Sequence, residues 1–182
     1  SGSVAEISSD GVLSFINTPD YESDASSYSL SITVSDGDFS DSQDIEVSLI
    51  NLNDNSPVFT TPASFNINEN ETALTTIKAT DADGNPISFE VTGPDLSISS
   101  EGILRFIVAP DYETKSSYSA TLTARDTSID GSNFTTQDIT ISVINLNDNS
   151  PVITSSSSFS VDENQTAITT ITAVDADGDN IL

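Results

Sequence analysis

Apolar residues in this chain come mostly at every second position. Tyr28–Ser35 reads Tyr-Ser-Leu-Ser-Ile-Thr-Val-Ser, and Tyr118–Arg125 and Thr136–Ile144 alternate in the same way. Period two is the mark of a strand with one face buried, and no stretch shows the 3.6-residue period of a helix. Short strands are predicted on either side of the Asp10-Gly11 turn within Glu6–Phe15, then at Tyr28–Ser35 and Asp44–Leu52. An edge strand carries Phe59, Phe65 and Ile67, and further strands are predicted at Ala73–Ala79, Ile87–Val91, Leu96–Ile98, Tyr118–Arg125 and Thr136–Ile144. About seven strands in roughly 90 residues, separated by Gly, Asp and Asn turns, predict an all-β fold, a seven-stranded Greek-key β-sandwich.

The pattern repeats. Asn51–Val58, Asn-Leu-Asn-Asp-Asn-Ser-Pro-Val, returns letter for letter at Asn145–Val152, an offset of 145 − 51 = 94. Glu101-Gly102 matches Asp10-Gly11, and Asp111-Tyr112-Glu113 matches Asp20-Tyr21-Glu22, both at an offset of 91. Three extra residues within Thr127–Asn133, at a hairpin tip where insertions cost little, account for the difference. Phe159, Val161 and Glu163-Asn164 match Phe65, Ile67 and Glu69-Asn70, and Asp175-Ala176-Asp177-Gly178 matches Asp81-Ala82-Asp83-Gly84, again at 94.

Repetition at this spacing divides the chain. Residues 1–55 read as the C-terminal part of a repeat, 56–149 as a complete repeat, and 150–182 as the N-terminal part of the next. The two terminal pieces together spell one repeat, lacking only the counterparts of Phe89–Val91. Neither piece is large enough to bury a sandwich core alone. The head of one molecule is therefore expected to complete the tail of the next.

Composition narrows the chemistry. With 29 acidic and 4 basic residues the formal net charge is −25, which excludes nucleic acid and anionic membrane surfaces as partners. The chain has no Cys and no His, so zinc, copper and iron–sulfur sites lose their usual ligands and Cys–His or Ser–His catalysis is impossible. No run approaches the roughly 20 apolar residues of a membrane helix, and no membrane insertion is expected. Asp111 and Glu113 form a carboxylate pair of the kind used in acid–base catalysis. Their recurrence as Asp20 and Glu22 favours a cation-binding role instead, and no enzyme is expected. An Asn-rich stretch alone is an ordinary polar turn, but the octets keep regular company with Glu-Asn, Asp-Tyr-Glu and Asp-Ala-Asp-Gly. Together these offer only hard oxygen ligands, the chemistry that suits calcium.

These words, in this order and over essentially the whole chain, resemble the cadherin repeat. In that family Glu-Asn, Asp-x-Glu and Asp-x-Asn-Asp-Asn-x-Pro meet the Asp-x-Asp of the following repeat around Ca2+ at each junction. The resemblance implies a first junction built from Asp20, Glu22, Asn53, Asp54 and the backbone carbonyls of Leu52 and Asn55, with Asp81, Asp83 and Asp126 from the central repeat. It implies a second built from Glu69, Asp111, Glu113, Leu146, Asn147, Asp148 and Asn149, with Asp175 and Asp177 beyond. The first lacks an upstream Glu, which Glu163 of a second molecule would supply. The second lacks the counterpart of Asp126, which a neighbouring Asp36 would supply. Asn51 and Asn145 depart from the family, which usually has Asp there.

The function so implied is a calcium-rigidified extender or adhesion module at the outer cell surface. Its partners would be neighbouring repeats of the same protein and further copies bound head to tail. Abundant Ser, Thr and Asp with scarce Lys and no Cys suit the tandem array of a bacterial adhesin. Direct ligand binding or homophilic adhesion by the domains themselves is the alternative.

Overall fold

The computed structural model describes residues 3–127 and 133–181. The first strands pair as two hairpins: β1 (Ala5–Ile7) with β2 (Leu13–Phe15), and β3 (Ser27–Ser35) with β4 (Ser40–Ser48). The central sandwich follows, with β5 (Val58–Phe59), β6 (Ser64–Asn68), β7 (Ala73–Thr76), β8 (Ala79–Thr80), β9 (Ile87–Val91), β10 (Leu96–Ile98), β11 (Ile103–Phe106), β12 (Ser117–Asp126) and β13 (Phe134–Ile144). Two short strands, β14 (Val152–Ile153) and β15 (Ala173–Val174), pair beyond it.

One layer of the sandwich has the order β10-β11-β7 and the other β6-β13-β12-β9, with β5-β8 as a short separate pair. Pairing is antiparallel except between β13 and β6, where Ile141 lies opposite Phe65 and Val143 opposite Ile67. That one parallel pair brings the first long strand of the sandwich beside its last, closing the Greek key. The all-β sandwich is thus the fold that period-two patterning predicted.

Alternation sets the core. In β13 Ile139, Ile141 and Val143 are buried while Thr140, Ser142 and Ile144 face out. They meet Leu122 of β12, Leu104 and Phe106 of β11, and Ile67 of β6 in one apolar cluster. Phe106 also stacks edge-on against Tyr118, with ring centroids 4.8 Å apart. Among the described residues, every buried one lies between Pro57 and Val143.

Three local expectations change. Ala73–Ala79 is not one strand, because the chain changes partner within it: β7 pairs with β11 and β8 with β5. Between them the buried Ile77 donates its N–H to the Gly102 carbonyl at 2.8 Å. Gly102 has φ +82, and a Cβ there would sit 2.4 Å from the Ile77 oxygen, so only glycine fits this close approach. β4 begins at Ser40 rather than Asp44, since its register with β3 carries Ser35 opposite Ser40 through a polar stretch.

The repeat offset is also finer than 91 and 94. Tyr28 pairs with Val47 and Tyr118 with Ile141, giving offsets of 118 − 28 = 90 and 141 − 47 = 94. One residue is lost before Tyr118, and the tip therefore carries four extra residues rather than three. Most of Thr127–Asn133 lies outside the described residues.

Candidate metal centres

The first octet is irregular backbone over residues 51–57, anchored by the buried Pro57, and its Val58 opens β5. Its neighbour across the chain is the Asp81–Asn85 loop, where the Asp81 carboxylate accepts the Asn85 N–H at 3.2 Å and Gly84 takes φ +79. That turn holds Asp83 against the octet. Asn55 donates its N–H to Asp83 Oδ2 at 2.8 Å and its side-chain amide to Asp83 Oδ1 at 3.0 Å. Asn51 Nδ2 donates to the Asp83 carbonyl at 3.1 Å.

The 94-residue repeat reproduces this clamp. Asn149 donates its N–H to Asp177 Oδ2 at 2.8 Å and its amide to Asp177 Oδ1 at 2.9 Å, while Asn145 Nδ2 reaches the Asp177 carbonyl at 2.9 Å. The departures from the family pattern, Asn51 and Asn145, therefore have a structural use. Aspartate there would set a carboxylate against a carbonyl oxygen.

Around each clamp the acids converge. Carboxylate oxygens of Glu22, Asp54 and Asp83 lie within 4.8 Å of one another, as do those of Glu69, Glu113 and Asp148, and those of Asp175, Asp177 and Asp179. Glu22 and Glu113 are repeat counterparts, and so are Asp54 and Asp148. Glu69 is 1% exposed, and its carboxylate accepts the N–H of Tyr112 at 2.9 Å and of Leu146 at 2.7 Å. It thereby fastens the Asp111–Glu113 turn and the second octet to the end of β6. Asn70, in the left-handed region at φ 66, aims Nδ2 at Asp148 Oδ2, 2.5 Å away.

The remaining predicted residues frame these clusters. Asp20 and Asp111 shape their turns, accepting Ser23 Oγ at 2.8 Å and Thr114 Oγ1 at 2.7 Å, and these bonds hold both carboxyls below the usual range. Asp126 is buried at the end of β12. Leu52 offers a carbonyl that accepts the Asp54 N–H at 3.1 Å. Asn53 accepts the Asn133 amide on its carbonyl at 3.1 Å, a contact from the β12–β13 hairpin that sequence patterning did not anticipate. Asn147 bonds to Asp179, which belongs to the third cluster and was also missed; its position two residues past Asp177 was the available signal. Asp36 and Glu163 join none of the clusters. Asp36 closes the β3–β4 turn by accepting the Phe39 N–H at 2.8 Å, and Glu163 sits exposed in a turn.

The electrostatics suit a cation. Glu22 Oε1 and Asp81 Oδ2 are buried without a hydrogen-bond partner. Loss of water around Glu22, a hydrogen bond shared with Asp20 and the neighbouring Asp83 push its carboxyl up to about 7. Glu113 is raised by the same loss of water, whereas Asp177 is lowered by its bond from the Asn149 side chain. A protonated Glu22 stabilises the metal-free fold below its ordinary pKa, and that stability is lost as pH rises through about 7. A cation here must displace that proton. Cation affinity is expected to fall about tenfold from about pH 8 to about pH 6, with proton uptake by the buffer detectable by calorimetry. Affinity flat over that interval would remove Glu22 from the site.

No family model matches the chain. Over 167 residues it is 34% identical to the Fat-like cadherin-related tumor suppressor homolog of Drosophila melanogaster, covering 82% of this chain and 3% of that protein. It is 34% identical over 150 residues to Protocadherin-16 of Homo sapiens, covering 73% and 4% respectively. The chain thus spans only a few per cent of the length of these relatives. Among solved structures, the protocadherin gammaB7 EC3-6 cis-dimer superposes with a TM-score of 0.79 at 24% identity, covering 97% of this chain and 49% of that one. Mouse Cadherin-23 EC22-24 gives a TM-score of 0.72 at 23% identity, covering 95% and 61%. In sequence and in fold alike, the chain carries a cadherin-like domain.

Proposed function

We propose that the acidic clusters hold Ca2+ and that the ions rigidify successive cadherin-like repeats into an extender or adhesion module at the outer cell surface. The observation that carries this is the duplicated clamp: the same Asn–Asp bonds recur at both octets, each beside a counterpart Glu–Asp pair, Glu22 with Asp54 and Glu113 with Asp148. Only oxygen ligands are available there. Calcium takes six to eight of them in a flexible shell, whereas magnesium demands a small, near-octahedral one and keeps its waters.

Bound calcium would cancel repulsion among Glu22, Asp54 and Asp83 and tie the octet to the Asp81–Asn85 loop. Glu69, Glu113 and Asp148, with Asp177, would do the same at the second octet. Freed of the ion, each set of acids repels and the link loosens. Composition favours a bacterial adhesin array as the parent, with neighbouring repeats of the same protein as its partners.

Thermal unfolding in calcium, magnesium and chelator at fixed ionic strength tests the metal. At calcium about a hundredfold above the dissociation constant, binding adds about 2.7 kcal/mol, which raises the melting temperature by roughly 10 °C or more. Equal melting in all three conditions would leave the acids as a solvated surface.

A further inference from the structure

The base of the β12–β13 hairpin reaches the first junction from a direction of its own. Asn133, half-buried just before β13, donates its side-chain amide to the Asn53 carbonyl at 3.1 Å and to Asn53 Oδ1 at 3.3 Å. Its own carbonyl accepts the Asp126 N–H at 3.2 Å. Beside it, Thr127 gives its N–H, at 2.9 Å, and its hydroxyl, at 3.1 Å, to the Pro86 carbonyl. One hairpin base thus holds the middle of the octet, the buried Asp126 and the far end of the Asp81–Asn85 loop.

The side chain at 133 is not part of the repeated pattern. The backbone bond recurs in the β3–β4 hairpin, where Asp36 donates its N–H to the Phe39 carbonyl, also at 3.2 Å. Asp126 therefore aligns with Asp36 and Asn133 with Phe39. The main chain is shared across the repeat and the amide is not, since a phenyl ring has no donor to offer an octet oxygen.

Asn133 also differs from the other octet contacts in what it bonds to. Asn51 and Asn55 hold the two ends of the octet to Asp83, and both Asn55 bonds fall on a carboxylate that a cation would claim. The Asn133 bonds fall on amide oxygens. Each has two lone pairs, so it can accept an N–H and still face a cation.

We propose that Asn133 is a positioning residue with two effects. It orients the Asn53 oxygens toward the cation at the first junction, and it latches the octet to the central sandwich whether or not the cation is bound. The first effect rests on the calcium reading above, whereas the second stands without it. Bonds behind a metal ligand are typically worth about 10–100-fold in metal affinity.

Asn133→Leu keeps the size of the side chain and removes its donor without changing charge. A calcium titration of the full chain followed by NMR reads the octets separately, through the N–H signals of Asn55 and Asn149. The midpoint at Asn55 should move to calcium about tenfold higher or more, while that at Asn149 stays in place. Asn133→Ala, which lacks the donor and adds no bulk, should give the same shift. A shift with leucine alone would be steric and would overturn the assignment, as would no shift at Asn55 or equal shifts at both octets. Octets that ignore calcium in the unmodified chain would overturn the calcium reading and the first effect with it, and the latch is then judged in chelator. There, spin labels at Ser29→Cys and Thr136→Cys should show a broader distance distribution with Asn133→Leu than with Asn133. Equal widths in chelator would overturn the latch.

Discussion

Glu69→Ala is expected to lower the melting temperature of the central sandwich by roughly 10–20 °C and to weaken calcium binding by about 10–100-fold. The carboxylate is 1% exposed and accepts two backbone N–H groups, from Tyr112 and Leu146, that belong to two different loops. Alanine leaves both donors without their acceptor, at about 1–3 kcal/mol each. It also takes one carboxylate from the set formed with Glu113 and Asp148. Thermal unfolding and calcium calorimetry on one variant read the two effects separately. Lost stability with unchanged calcium affinity would make Glu69 a loop fastener only. Glu69→Gln sharpens the distinction, because it keeps the shape and one acceptor oxygen but loses the charge.

Leu104→Ala should destabilise the same sandwich by about 2–5 kcal/mol, whereas the same change at Leu13 should cost little in dilute, unassembled chain. The two leucines are repeat counterparts on β11 and β2, with 0% and 36% exposure. Leu104 contacts a core assembled from both layers. Leu13 sits on the two-stranded β1–β2 hairpin, where more than a third of it stays exposed. Denaturant titration of both variants at low protein concentration checks the contrast. Equal losses would mean that the first segment already carries a packed core of its own.

Much of the fold could be read from the sequence because period-two alternation is a local property that packing then obeys. β12 and β13 fell where Tyr118–Arg125 and Thr136–Ile144 alternate, with Ile139, Ile141 and Val143 turned inward. What could not be read was decided by partners distant in sequence. The break between β7 and β8 follows from a change of partner strand, and the early start of β4 from its register with β3. The acids were legible as repeated words, but their bonding was not. Asn51, Asn145 and Asn133 act through amides reaching across loops, and amide donors leave no periodic trace. The one-residue loss before Tyr118 was hidden because it was offset within the same repeat by a larger insertion.

The central claim is that calcium stiffens the link between the first segment and the central sandwich. The chain has no cysteine, so Ser29→Cys in β3 and Thr136→Cys in β13, both exposed, give two unique labelling sites across that link. Pulsed electron spin resonance on the doubly labelled chain, diluted with unlabelled chain, reads the distribution of distances between them. A single narrow distribution in calcium that broadens in chelator is the predicted result. A distribution of the same width in both would contradict the clamp, leaving the acidic clusters without a mechanical role.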